Sequence, residues 1–164
     1  MGKDWIPIRI RTEQAKMHKV VDTIEGFPDQ VMTKYFFQLL QSIAASGADV
    51  MRNYIQYNRA NFTETGRQRA AAGGPGPGRY KSGTMVNSIK WSGKKVAPHK
   101  YEFTVGWLDG TPGYSVFQEY GTKNGVAAMN SLQYTADFMR LELKHMGASP
   151  SGFKVGSPVR KWSE

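Results

Sequence analysis

Over residues 29–59 apolar side chains return every three or four positions: Val31, Tyr35, Leu39, Ile43, Val50 and Tyr54, with Phe36, Leu40 and Met51 beside them. That period gathers one face of an α-helix. Pro28 and Asp29 supply the start signal, since a proline suits the first turn and an acceptor side chain meets unpaired backbone N–H groups there. Gly47 interrupts the run after Ala44, Ala45 and Ser46. A glycine costs a helix about 1 kcal/mol against alanine, so close packing or a kink is expected at that point. A chain of 164 residues is about one domain long, and this stripe is its main core helix.

Elsewhere the period drops to two. Ile6, Ile8 and Ile10 alternate with Pro7, Arg9 and Arg11, which predicts a short strand that Pro7 places at an edge. A short helix is expected over 12–24, with Thr12 as cap and Met17, Val20, Val21 and Ile24 on one face, before Gly26, Phe27 and Pro28 break the chain. Residues 88–92 read as a strand, and Tyr101, Phe103, Val105 and Trp107 alternate strictly with Glu102, Thr104 and Gly106. The two are expected to pair as a hairpin whose loop runs through 93–99. Residues 108–113 are turn chemistry, and 114–122 read as an unusual turn after a strand. A last helix is expected from about Asn130 to His145, with Leu132, Ala136, Met139 and Leu143 on its apolar face. Beyond Gly147 the chain reads as extended, with Phe153, Val155, Val159 and Trp162 spaced for docking onto a partner. The sum is an α+β fold: a small antiparallel sheet packed against a long helix of the N-terminal half and a C-terminal helix. Residues 1–147 form the domain and 148–164 a tail.

The net charge of +9 is unevenly placed. Between Arg59 and Lys100 stand nine basic residues and one acid, Glu64, while the remainder is close to balanced. The same segment holds the run of residues 70–78, rich in Gly, Pro and Ala, which is too poor in apolar surface to fold alone. A flexible basic arm within 59–87 is the expectation. It is either a solvated linker or a surface that meets a polyanion through phosphate contacts blind to sequence. Arg67, Arg69, Arg79, Lys81, Lys94 and Lys95 are its candidate contacts. Zinc-ligand spacing, a recognition-helix pattern and an RNP-type aromatic motif are all missing. The Gly-Pro run lacks the Gly-Lys-Ser/Thr ending of a phosphate loop.

Catalysis finds no constellation. His18, His99 and His145 are far apart and follow no metal-ligand spacing. Asp109 sits in a turn, and Ser82 lacks the frame of a nucleophile elbow. With no cysteine there is neither a disulfide framework nor thiolate chemistry. No cofactor is expected. The N-terminus lacks the apolar run of a signal peptide and no apolar stretch is long enough to span a membrane, so a protein made in a reducing cytoplasm, with no membrane partner, is expected.

Two motifs carry a resemblance. Tyr114-Ser115-x-x-x-Glu119-Tyr120-Gly121-Thr122 resembles the Tyr-Ala-x-x-Val-Glu-aromatic-Gly-Thr signature of the tail-component, or neck, proteins of long-tailed bacteriophages. Upstream, Lys81-Ser82-Gly83-Thr84-Met85-Val86-Asn87-Ser88-Ile89 resembles that family's Thr-Gly-x-Leu-x-x-Ser-Ile element. The sequence departs from the pattern at Ser82, Met85 and Gln118, and it lacks the proline before the last helix. The resemblance implies a small α+β structural protein of a virion, assembled in the host cytoplasm. It implies a homo-oligomeric ring, six copies in the family's manner, joining the head connector or stopper to the tail tube or tail terminator protein. Tail-completion, head-to-tail joining and tail-terminator roles are not separated by these motifs.

Within that reading Ser82, Gly83, Ser88, Ile89, Tyr114, Glu119, Tyr120, Gly121 and Thr122 are structural and lie near a subunit interface. Gly121 supplies a backbone geometry that a side chain opposes, and Thr122 bonds backbone at a turn. Glu119 is either a solvated acid or the partner of a basic residue in its own chain or a neighbour. The basic arm would face double-stranded DNA in a central channel, and Phe153, Val155 and Trp162 would dock onto a partner. The contrasting class is a sequence-nonspecific nucleic-acid-binding protein with the arm as its main site.

Overall fold

The long apolar run folds into a single helix, α1 (Asp29–Tyr57), and its length sets the layout. Twenty-nine residues at 1.5 Å each reach about 43 Å, enough to cross a sheet and continue past it. The computed structural model describes residues 8–13, 29–79, 83–97, 100–107, 114–123, 125–145 and 153–154. In chain order the elements are β1 (Ile8–Glu13), α1, a 3₁₀ turn (Arg59–Asn61), α2 (Glu64–Ala71), α3 (Thr84–Asn87), β2 (Ile89–Ala97), β3 (Lys100–Trp107), α4 (Tyr114–Tyr120), α5 (Ser131–His145) and β4 (Phe153–Lys154). The architecture is the expected α+β arrangement, with an antiparallel sheet ordered β2-β3-β1-β4.

Helix α1 packs against β2 and β3 and also against α5. The side chains it buries are Leu40, Ile43, Ala44, Ala48, Met51 and Ile55: of the expected stripe Ile43, Leu40 and Met51 are buried, while Leu39, Val50 and Tyr54 are only half-buried. The small residues are part of the buried face. With Ala44, Gly47 and Ala48 on the contact line, two elements approach the helix closely, whereas a Leu39–Val50 line would hold them off. A Cβ at Gly47 would stand 2.7 Å from Met139 Sδ, so this glycine serves close packing against α5. From the sheet come Ile89, Tyr101, Phe103, Val105 and Trp107, and from α5 Leu132, Ala136, Met139 and Leu143. The Phe37 ring sits 5.4 Å from Phe103 and 5.8 Å from Tyr101 in tilted contacts, the arrangement aromatic quadrupoles favour. Arg52 donates from α1 to the Ile89 carbonyl where β2 begins.

The strands are longer than their periodicity suggests. β1 continues through Thr12, which stands opposite Tyr101, so Thr12 is a strand residue rather than a helix cap. The remainder of the expected 12–24 helix lies outside the described residues. β1 is also paired on both sides at Arg9 and Ile10, by β3 and β4, rather than at an edge. Pro7 itself lies outside the described residues. β2 runs to Ala97 with a bulge near Lys95, so residues 93–97, expected in the hairpin loop, belong to the ladder. Gly93 makes this possible, because its missing side chain leaves room for the Phe103 ring opposite. Ser88, expected in the strand, instead ends α3 and donates to the Met85 carbonyl at 2.9 Å. The tail residue Phe153 extends the sheet by pairing with Ile10; Val155 and Trp162 lie outside the described residues, as do 108–113.

The expected basic arm is a folded element. Thr63 caps α2 by accepting from Gly66 N at 3.0 Å. Arg69 then clasps the Gly-Pro run, donating from Nε to Pro75 O at 3.2 Å and from Nη2 to Gly76 O at 2.8 Å and Gly78 O at 2.9 Å. The run lies on the end of α1 through Gly78 N to Gln56 O at 2.7 Å and Arg79 N to Ile55 O at 3.2 Å. Gly76 and Gly78 serve contact with α1: a Cβ at Gly78 would collide with the Ile55 and Gln56 carbonyls, and one at Gly76 with the Tyr57 ring. Composition alone suggested an arm because these bonds use backbone groups and one guanidinium instead of apolar burial. Hydrogen bonds to a charged donor contribute about 1.5–3 kcal/mol each. We therefore expect Arg69→Ala to speed amide exchange at Gly78 and Arg79 by about tenfold or more, with α1 core amides unchanged. Wild-type exchange at both amides would show that Arg69 does not hold the loop.

Candidate functional site

The motif at residues 114–122 forms α4 and the turn that follows it. At Gly121 the backbone enters the left-handed region with φ 76°, and a Cβ there would stand 2.6 Å from Val126 O. Thr122 then closes the turn, its N–H donating to Val126 O at 2.9 Å and its Oγ1 accepting from Val126 N at 3.3 Å. The chain returns alongside α4, with Met129 N donating to Gln118 O at 2.9 Å and Asn130 N to Glu119 O at 3.2 Å. Asn130 takes φ 55°, a conformation asparagine tolerates better than most residues. Its reversal aims the first turn of α5 at Glu119.

There Glu119 does the work of an N-cap from a separate element. Its Oε1 accepts from Leu132 N at 2.7 Å, and its Oε2 accepts from Ser131 N at 3.0 Å and from the Ser131 hydroxyl. These are the unpaired donors of a helix start, and a carboxylate there also meets the positive end of the helix dipole. Thr135 returns its hydroxyl to Ser131 O at 2.8 Å and extends the bonded first turn. Glu119 is 2 % exposed, which excludes the solvated acid expected as one alternative; for the other, a basic partner, Arg79 of its own chain is close enough for its charge to act on Glu119. Burial raises its pKa above the usual carboxylate range, with the Ser131 and Leu132 donors and the Arg79 charge opposing that rise.

A half-buried polar and aromatic shell surrounds the acid. Arg79 Nη1 donates to Gln118 Oε1 at 2.8 Å, bringing the segment just before the first motif onto the helix of the second. Burial lowers the Arg79 pKa, and Glu119 opposes the shift. Tyr54 of α1 stacks on Tyr134 of α5 with ring centroids 4.1 Å apart and planes 23° apart. The Tyr54 pKa is raised by burial first and then by the Glu119 charge, and the Tyr120 phenol is pushed up to about 12 by the same two causes.

The first motif is a second joint. Gly83, at φ 80°, opens α3, and Ile89 is fully buried where β2 starts. Trp107 Nε1 donates to Met85 O at 2.9 Å, tying this turn to the end of β3. Ser82 and Lys81 lie outside the described residues. On α4, Tyr114 and Phe117 are exposed while Ser115 is fully buried. Of the basic candidates, Arg67, Lys94 and Lys95 are exposed, whereas Arg69 and Arg79 are engaged inside the fold. Lys94 Nζ is 3.4 Å from the buried Glu102. The residues that sequence did not single out are Tyr54, Gln118, Ser131 and Tyr134. Asn130-Ser131 is a helix-start signal, but nothing local shows that the acceptor comes from another helix.

With its oxygens occupied by donors and its surface covered, the Glu119 carboxylate positions a helix rather than presenting an acid or base to a substrate. Among the described residues no group of three or more His, Cys, Asp or Glu is placed to hold a metal ion, and no helix is long and apolar enough to cross a membrane. Comparison of the chain with models of protein families, with curated proteins and with solved structures finds no match in any of the three.

Glu119→Ala leaves two buried backbone N–H groups without an acceptor, at about 1–3 kcal/mol each, so a loss of about 3 kcal/mol in urea unfolding is expected. The pH dependence has the opposite sign from an exposed salt-bridged acid. Because the folded-state pKa is raised, the stabilisation linked to this group is full below the ordinary carboxylate pKa and is lost as pH rises through the raised value. The stability of the wild type relative to Glu119→Gln should therefore fall as pH increases from about 4. A difference independent of pH would refute the assignment. Gly121→Ala combines a left-handed φ with a backbone collision and should cost about 2 kcal/mol or more, read as a drop in thermal midpoint.

Proposed function

We propose that the chain is a ring-forming structural protein of the neck of a long-tailed bacteriophage particle, joining the head connector to the tail tube. Its place is the head-tail junction of the virion, and its mechanism is geometric rather than chemical. The observation that carries this reading is the use the fold makes of both motifs. Gly83 to Ile89 turns the chain into the hairpin, and Glu119 to Thr122 fixes α4 against α5, so both act as rigid joints. An assembly part needs such joints because a ring closes only when every subunit presents its two contact surfaces at a fixed angle.

Exposed apolar side chains supply candidate contacts. Tyr114 and Phe117 stand three residues apart on α4, 46 % and 40 % exposed, and Tyr57, Tyr134 and Leu141 are exposed on α1 and α5. Aromatic residues are enriched at protein interfaces. The interface therefore lies beside the Glu119 joint instead of at its carboxylate. A tail terminator or minor tail protein of the same junction is the alternative role for this chain.

Native mass spectrometry with negative-stain electron microscopy is expected to give discrete rings, six copies in the simplest case, and immunolabelling of particles should mark the neck. Tyr114→Glu with Phe117→Glu is expected to give a folded monomer with unchanged circular dichroism. A monomer at every concentration tested, together with absence from particles, would refute the proposal; rings unaffected by the double variant would refute the α4 contact.

A further inference from the structure

Strand pairing stops at one margin of the sheet. In the order β2-β3-β1-β4, strand β2 (Ile89–Ala97) has a neighbour on one side only among the described residues, namely β3. A strand in that position turns alternate N–H and C=O groups outward with no strand to receive them. Its ladder with β3 is regular from Ile89 to Lys95 and shifts register between Lys95 and Ala97. The regular stretch is about 20 Å long, enough to template a further strand. Its side chains alternate in character. Ile89 and Trp91 pair with the buried Trp107 and Val105, and Trp91 is half-buried against the core. Lys90, Ser92 and Lys94 take the opposite face, and all three are exposed.

We propose that this edge receives an acidic, extended segment of a partner protein as an additional strand. Strand addition draws affinity from main-chain hydrogen bonds and specificity from alternate side chains. Lys90 and Lys94 stand about 13 Å apart on one face, and no acid among the described residues pairs with Lys90. Lys94 Nζ lies 3.4 Å from Glu102, yet its side chain is 68 % exposed. An ammonium carries three donors, so Lys94 can hold a second carboxylate. Glu102 is buried on β3, and Glu13 is placed two strands from β2, opposite Lys100, so neither acid stands on the edge strand. A carboxylate opposite each lysine, with an apolar side chain between them covering Trp91, completes the pattern. The lysines also select against a second copy. Antiparallel pairing of two β2 strands about Ser92 would set Lys90 of each opposite Lys94 of the other, and like charges directly opposite destabilise a pair. Nucleic acid matches only half of the edge, because ionised phosphates accept from N–H groups and have no donor for the carbonyls. This site does not depend on the neck reading.

The test uses the full chain and a fluorescein-labelled peptide, Thr-Glu-Val-Glu-Val-Glu-Val-Glu-Thr, followed by anisotropy in 50 mM NaCl. Saturable binding is expected, at least tenfold weaker for the peptide with Lys in place of each Glu and for the acidic peptide N-methylated at every amide. Hydrogen exchange at saturating peptide should slow at least tenfold at alternate amides of residues 89–95. Lys90→Glu with Lys94→Gln should lower the preference for the acidic over the lysine peptide at least tenfold. Should that variant fail to fold, Lys90→Glu alone should lower it about threefold or more. A control at exposed positions elsewhere, Lys123→Glu with Lys144→Glu, should bind as the wild type does. Absence of binding, equal binding of the N-methylated peptide, or an equal loss in the control would overturn the proposal. Displacement by duplex DNA as efficient as by unlabelled peptide would overturn a peptide as the occupant. Protection of β2 amides that rises with protein concentration, without peptide, would assign the edge to a second copy instead. Gel filtration of the same samples reports ring formation separately, so failure of this proposal is distinguishable from failure of the neck reading.

Discussion

Burial of α1 by two neighbours is the constraint on which the other contacts depend. The helix meets the sheet where Phe37 lies against Tyr101 and Phe103, and it meets α5 where Gly47 admits Met139. Helices this long are common; one contacted by two elements needs small residues at the contact, because packing near crystal density leaves no slack for an extra methyl group. Ala44, Gly47 and Ala48 provide that clearance. They also explain why glycine is tolerated near the middle of the helix, where its conformational cost of about 1 kcal/mol is offset by the dispersion contacts it permits.

The same placement creates the need for Glu119. α5 begins at Ser131 beneath α4 and the end of the loop that leaves α1, away from water, so its first N–H groups cannot be left to solvent. A carboxylate satisfies them at the cost of its own desolvation, and the raised pKa records that cost. Three short donors, with Arg79 nearby, keep the exchange tolerable. The surrounding residues come from four places in the chain: Tyr54 from α1, Arg79 from the Gly-Pro loop, Gln118 from α4 and Tyr134 from α5. The joint thereby couples elements that no single hydrophobic stripe connects, giving both motifs a mechanical sense: each sets an angle between elements.

The legible parts of the sequence were those with a local period or a local stereochemical demand. Residues 101–107 announce a strand by strict alternation, α1 by its three- and four-residue spacing, and Gly121 by a backbone that side chains oppose. Structure departs from local pattern where a distant partner changes the outcome. Thr12 looks like a cap until Tyr101 is opposite it, and residues 93–97 look like a loop until β3 pairs with them. Residues 70–78 resemble a linker because Gly and Pro exclude apolar burial, yet Arg69 and the α1 carbonyls satisfy their backbone. Glu119 reads as either a solvated acid or the partner of a basic residue, because its immediate neighbours in sequence are no guide to the helix start that covers it.

Sequence by itself determined α1, β1, the β2–β3 hairpin and α5, and their order, since these follow from side-chain period and backbone preference within a few residues, whereas α2, α3 and α4 left no such trace. Tertiary structure alone decided which donors meet Glu119, how the Gly-Pro run is fastened, and that residues 93–97 pair with β3. The physical reason is common to all three. A hydrogen bond or a strand register between segments tens of residues apart leaves no periodic trace in either segment, and exists only once the core has brought them together.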